Sequence, residues 1–278
     1  MRHQGRLRDT RDGAVSAVIR YLRSVLDATF RRRGLPPGAW KADLGRAVRL
    51  FRAFGVEQSD PDQFYGTLAA DSVAQVSSYT DLRGKTLLDV GGGPGYFADA
   101  YRAAGVTYYA IDSDLGEMSG RGQPEPGTLL ASGMALPIRD GGVDICFSSN
   151  VLEHVPDPWL MADEMVRVTR PGGTIFLSYT GWWGIHGGHE TAPWHFLGGH
   201  RAAARYQRKT GKPPKNLYGE SLFPITVAGG LRWARACRDA ELVEALPRYH
   251  PRWAHGVLAL PGIREVATWN LVLVLRRR

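Results

Sequence analysis

Residues 87–97, LLDVGGGPGYF, carry an apolar segment straight into a turn that holds four glycines. Glycine reaches φ values closed to other residues and leaves room where a Cβ would collide. An apolar strand that ends in such a turn and continues into a helix is the opening of a parallel α/β unit. This one feature restricts the fold more than any other in the chain, because the turn has to sit at the carboxyl end of a buried strand.

The sequence beyond Lys85 keeps that rhythm. Short apolar runs predict strands at 86–90, 107–112, 127–131, 143–148, 173–179, 242–247 and 267–275. Helical spacing between them predicts helices at 95–104, 157–169 and 227–239. The pattern implies an α/β, doubly wound and mostly parallel sheet, with ligands bound beyond the carboxyl ends of its strands. Residues 180–225, rich in Trp, His, Gly and Lys, break the alternation and read as an insertion forming a lid. Upstream, apolar residues at helical spacing predict helices over Val15–Phe30, Leu44–Phe54 and Pro61–Tyr79.

Composition narrows the function. Residues 1–54 hold 13 Lys and Arg against 4 Asp and Glu, while the remainder holds 22 against 23. The basic excess therefore belongs to an N-terminal extension spanning residues 1–60, and the near-neutral body argues against nucleic-acid binding, which needs a basic surface around the site. The basic stripe around Val15–Phe30 suits a cover over the core, a homodimer contact through the N-terminal helices, or an anionic-membrane helix. No run approaches the roughly 18 apolar residues of a membrane span, so no integral membrane segment is expected. The start has no apolar stretch with a small-residue cleavage site, and two cysteines cannot staple 278 residues, which together imply a reduced, cytoplasmic setting.

The second predicted strand, Tyr108–Asp112, ends in an acid about twenty residues after the glycine turn. A carboxylate there can accept both hydroxyls of a ribose, so the turn and Asp112 point to an adenosine-type ligand. The run Gly91-Gly92-Gly93-Pro94-Gly95 departs from the dinucleotide spacing, and Pro94 removes an N–H that a pyrophosphate site would use.

With LLDVGGGPGYF, the acid-ended second strand, ALPIRDGGVDICFSSNVLEHVPDP (135–158) and MVRVTRPGGTIFLSY (165–179), the chain resembles the class I S-adenosylmethionine-dependent methyltransferases, in the group related to ubiquinone-type enzymes. The resemblance implies a seven-stranded Rossmann-like methyltransferase domain over residues 61–278, with the lid insertion at about 180–225. It implies S-adenosyl-L-methionine as cofactor, with Asp89, Gly91 and Gly93 bordering its methionine part and Asp112 holding the ribose. Ser132, Gly133 and Met134 would flank the adenine, and Asn150 would lie beside the sulfonium. Many relatives carry an acid where Ser132 stands.

Methyl transfer to an alcohol needs an oriented acceptor and a base. Glu153 and His154 follow the fourth strand at the expected acceptor edge. Ubiquinone-type relatives carry Glu-x-x-Glu-His there and can bind a divalent cation such as Mg; here Asn150 replaces the first Glu. His154 thus reads as a base, a metal ligand or a structural group. The insertion adds His189 and Glu190, and residues 182–200 contain four of the eight histidines and three of the eight tryptophans. These rings suit either a packed lid or a sugar-stacking surface. An irregular spacing without cysteine argues against zinc.

Three further segments, ASGMALPI, residues 187–223 and residues 248–275, resemble mycobacterial methyltransferases of the methylmannose polysaccharide pathway. That resemblance implies a small carbohydrate acceptor, a short methylated mannoside methylated on its 1-hydroxyl, with Lys212, Lys215, Tyr218 and Arg248 bordering it. A lipid, quinone or polyketide O-methyltransferase near a membrane is the alternative.

Overall fold

The computed structural model describes residues 40, 42–56, 59–124 and 126–278. The predicted helix at Val15–Phe30, and with it the proposed dimer contact, lies outside the described residues. Two helices lead into the sheet: α1 (Leu44–Phe54) and α2 (Pro61–Ser77). The Asp43 and Asp60 side chains accept the Arg46 and Gln63 amides, so each helix starts on a carboxylate cap, and Pro61 occupies the first turn of α2. The two helices are joined by Arg46, whose guanidinium donates twice to Asp71 at 2.7 Å and once to the Arg248 carbonyl at 2.8 Å.

The sheet strands are β1 (Thr86–Val90), β2 (Thr107–Asp112), β3 (Thr128–Leu130), β4 (Val143–Ser149), β5 (Thr169–Thr180), β6 (Ala240–Pro247) and β7 (Asn270–Arg277). They lie in the order β3-β2-β1-β4-β5-β7-β6. The first five are parallel, and β7 runs antiparallel to both of its neighbours. The doubly wound, mostly parallel seven-stranded sheet is therefore the fold of this chain.

Alternate residues feed the two faces, as a twofold side-chain repeat requires. Ile145 and Phe147 of β4, Phe176 of β5 and Val272 and Val274 of β7 pack with α1, α2 and α3 (Ala98–Ala103). Cys146, Ile175, Leu177 and Leu271, Leu273 and Leu275 pack on the other face, among Met161 and Met165 of α4 (Pro158–Val168) and Leu231 of α5 (Val227–Ala236). Both faces are covered, so the central strands carry apolar runs, Leu87–Leu88, Ile145–Phe147 and Ile175–Leu177.

Several boundaries differ from the sequence expectation. The first helix after the glycine turn starts at Ala98, because Gly95–Phe97 still belong to the turn. The last strand starts at Asn270, since Ile263–Ala267 form a short helix before it. Within the insertion, α6 (Gly199–Thr210) carries only two buried residues, Gly199 and Ala202, so no apolar stripe announces it. Among the described residues, no helix is long and apolar enough to cross a membrane.

Candidate active site

The carboxyl edge of β1 is shaped by backbone. Gly91 has φ +80° and donates to the Ile111 carbonyl at 2.7 Å, and Gly92 donates to the same oxygen at 3.2 Å. A Cβ on Gly91 would lie 2.4 Å from the Val151 methyls. Gly93 also has positive φ, but a Cβ there would meet nothing within 4 Å, so it faces open space. Its amide donates to Asp112 Oδ2 at 2.9 Å, and the Asp114 amide donates to Oδ1 at 2.9 Å. Each carboxylate oxygen keeps acceptor capacity for a further donor.

Asp89 lies beneath the turn, 1% exposed, and accepts the Tyr108 hydroxyl at 2.6 Å. Burial pushes its pKa up to about 7; the Tyr108 bond opposes the rise and the nearby Asp112 charge adds to it. Ser132 Oγ accepts the Met134 amide at 3.2 Å. The Cα of Gly133 passes so near Val90 and Met161 that a Cβ would sit 3.1–3.2 Å from their side chains. Asn150, just past β4, has φ +59°. Its amide donates to the Ser178 carbonyl at 2.9 Å, and its Oδ1 accepts from Asn270 at 2.7 Å. Gly91, Gly93, Asp112, residues 132–134 and Asn150 thus follow the carboxyl ends of neighbouring strands, with open space beside Gly93.

The next part of the edge is built by side chains. Glu153 is 1% exposed; its Oε1 accepts the Thr180 amide at 2.9 Å, and its Oε2 is buried without a partner. His154 Nδ1 lies 2.7 Å from the Ser221 carbonyl. A carbonyl only accepts, so Nδ1 carries the proton and Nε2 keeps its lone pair. The His189 ring meets the His154 ring edge-on, centroids 5.0 Å apart. His189 has φ +49° and a buried, unpartnered Nδ1. Burial holds its pKa below the usual imidazole value, and His154 lowers it further.

One ligand atom each from Glu153, His154 and His189 lies within 4.8 Å of the others. One carboxylate oxygen and two imidazole nitrogens, two of these residues keeping a buried atom unmatched, suit an ion that accepts nitrogen. They do not suit Mg, which takes oxygen ligands almost exclusively.

Other expected residues have different surroundings. The Glu190 carboxylate accepts both the amide and the side-chain nitrogen of Asn216 at 2.9 Å. Burial raises its pKa, but these bonds outweigh burial and hold it below the ordinary range. Glu190 therefore closes the insertion on itself. Lys215 pairs with Glu117 at 2.8 Å, and Lys212 is exposed. Tyr218 packs against Trp182 and His200. Of the clustered histidines, His195 is buried against Gly184 and Trp182, and His186 lies between Phe54 and Trp269; only His189 reaches His154.

Arg248 is fully buried, donating to Ser149 and Ser178 at 2.7 and 2.8 Å and to Ser72 at 2.6 Å. Two partners were not read from the sequence. Ser221 acts through its backbone carbonyl, which leaves no side-chain signal. Asn270 had one, a polar residue opening an apolar strand.

Residues 88–177 match the model of a methyltransferase domain family. The chain is 54% identical over 248 residues to an uncharacterized methyltransferase of Mycolicibacterium gilvum, covering 86% of this chain and 96% of that one. It is 55% identical over 248 residues to another from Mycobacterium avium, covering 86% and 97%. An S-adenosylmethionine-dependent methyltransferase structure from Mesorhizobium loti shares the fold at a TM-score of 0.51 and 17% identity, over 75% of this chain and 98% of that one. The chain belongs to the methyltransferase family.

Proposed function

We propose that this methyltransferase methylates a hydroxyl of a small carbohydrate in the cytoplasm, the 1-hydroxyl of a short methylated mannoside. The observation that carries an alcohol acceptor is His154, whose Nδ1 is held by the Ser221 carbonyl while Nε2 keeps a free lone pair beside His189. The carbohydrate rests on the resemblance of residues 187–223 and 248–275 to methylmannose-pathway enzymes.

In this reading Asp112 accepts the ribose hydroxyls, and Ser132, Gly133 and Met134 flank the adenine. Asp89, Gly91 and Gly93 border the methionine part, and Asn150, its amide fixed by Asn270, lies beside the sulfonium. S-adenosylmethionine supplies an activated methyl group when bound. His154 Nε2 takes the proton of the acceptor hydroxyl as the oxygen attacks, and the Glu153 carboxylate steadies the imidazolium that forms. Glu190 holds the turn that presents His189.

A second reading is favoured by the unmatched Glu153 Oε2 and His189 Nδ1. Glu153, His154 and His189 would hold a divalent ion such as Zn²⁺ or Mn²⁺, which would lower the pKa of an acceptor oxygen.

Transfer of a radiolabelled methyl group to a panel of methylated mannosides, glucosides, quinones and phenols tests the acceptor. A labelled methylated mannoside is expected, and labelling confined to quinones or phenols overturns the carbohydrate. Repeating the assay after chelation separates the two readings of His154: full activity favours the base, and loss restored by Zn²⁺ or Mn²⁺ but not Mg²⁺ favours the ion.

A further inference from the structure

The outer face of the insertion carries a pattern that methyl transfer does not use. Trp183, Ile185, Trp194, Phe196 and Leu197 are 43, 44, 44, 39 and 64% exposed. Their turns are packed together, because His195 lies against the Gly184 carbonyl and its ring fills the space beside Gly188. Helix α6 packs on the turn at Trp194–Leu197 and sets the Arg205 guanidinium over the Trp194 ring at 3.9 Å. Arg201, Arg208, Lys209 and Lys212 are also exposed. No Asp or Glu occurs between Glu190 and Glu220.

We propose that this face docks on a bilayer containing anionic phospholipid, with the aromatic and aliphatic side chains in the headgroup boundary and the α6 cations against the lipid charge. Exposed Trp, Phe and Leu beside an unbroken set of cations are the composition of an interfacial surface. Each cation near an anionic leaflet strengthens binding roughly fivefold. Charge also argues against a second copy of the chain as the occupant, since a twofold contact through this face would oppose one acid-free cationic helix to another. The face belongs to the segment that carries His189, so docking would hold that segment against the lipid surface. The proposal does not depend on which acceptor is used.

Flotation of the full chain with vesicles tests it. The protein should rise with vesicles of phosphatidylcholine and phosphatidylglycerol and stay down with phosphatidylcholine alone. Trp183→Ser with Leu197→Ser, and separately Arg201→Glu with Arg208→Glu, should each weaken capture at least about tenfold. Retained S-adenosylhomocysteine binding by calorimetry certifies that each variant is folded.

Capture unchanged in both variants would assign lipid binding to the basic N-terminal residues and overturn the proposal. So would loss in the charge variant alone, which describes adsorption without insertion. Failure of the wild type to float, or a dimer in solution that the Trp183/Leu197 variant converts to monomer, also overturns it.

Discussion

At the β1–β2 edge, Gly91, Gly93 and Asp112 meet within one strand-helix-strand unit, and nearly every contact is a backbone amide reaching a nearby oxygen. In the insertion, His189 meets His154 while Asn216 holds Glu190 and the Ser221 carbonyl holds His154. The first region needs little beyond its own chain segment. The second is assembled from parts 26 to 67 residues apart, each contact tying a side chain of one segment to a group on a distant one. A site for an invariant donor can be written into one turn, whereas an acceptor pocket has to be gathered from several elements and is free to change with them.

His154→Ala should break the gathered half most severely. Turnover is expected to fall about 10²- to 10⁴-fold, while S-adenosylhomocysteine affinity by calorimetry stays within about threefold. An equal loss in both quantities would erase the division between the halves.

Gly91→Ala should break the local half. A Cβ at φ +80° would strike Val151, so the loss of stability should reach about 3 kcal/mol in denaturant unfolding. A smaller cost would mean that the turn can shift away from β4.

Asp112→Ala removes the predicted ribose contact and strands the Gly93 and Asp114 amides. Cofactor affinity should drop about 10- to 100-fold, and unchanged affinity would sink the ribose assignment.

The smallest effect concerns pH. Asp89 keeps its proton in the folded chain up to about pH 7, whereas an unfolded aspartate releases it near its ordinary value of 3.8. The folded state therefore binds more protons between those values, and stability falls as pH rises through that window. The fall between pH 6 and 7.5 should be about 1 kcal/mol. Asp89→Asn should flatten it in cofactor-free thermal melts, and an unaltered slope would show that Asp89 is ionised.

The same contrast explains what was legible beforehand. The sheet, the glycine turn and Asp112 are readable because apolar periodicity and glycine placement are local signals. Glu153 and His154 are readable by their position after a strand. The meeting of His154 with His189 is not, because four clustered histidines look alike until packing sends His195 to Gly184 and His186 to Trp269. Arg248 and Lys215 illustrate the same limit. The family resemblance places both beside an acceptor, yet one is buried among serines and the other is paired with Glu117. Helix α6 escaped because its surface lacks an apolar stripe.

The position of β7 has a consequence for how the chain is made. It follows β6 in sequence, yet it lies inside the sheet between β5 and β6. Until residues 270–277 are synthesised, β5 has a partner on one side only, and its other edge, lined by Ile175, Phe176 and Leu177, waits for them. An apolar strand edge left open is a template for pairing with other chains. Asn270 opens that same segment, so the Asn150 amide is oriented only when the last strand docks. Truncation before Asn270 would therefore leave the β5 edge open to pairing with other chains and Asn150 without its side-chain partner.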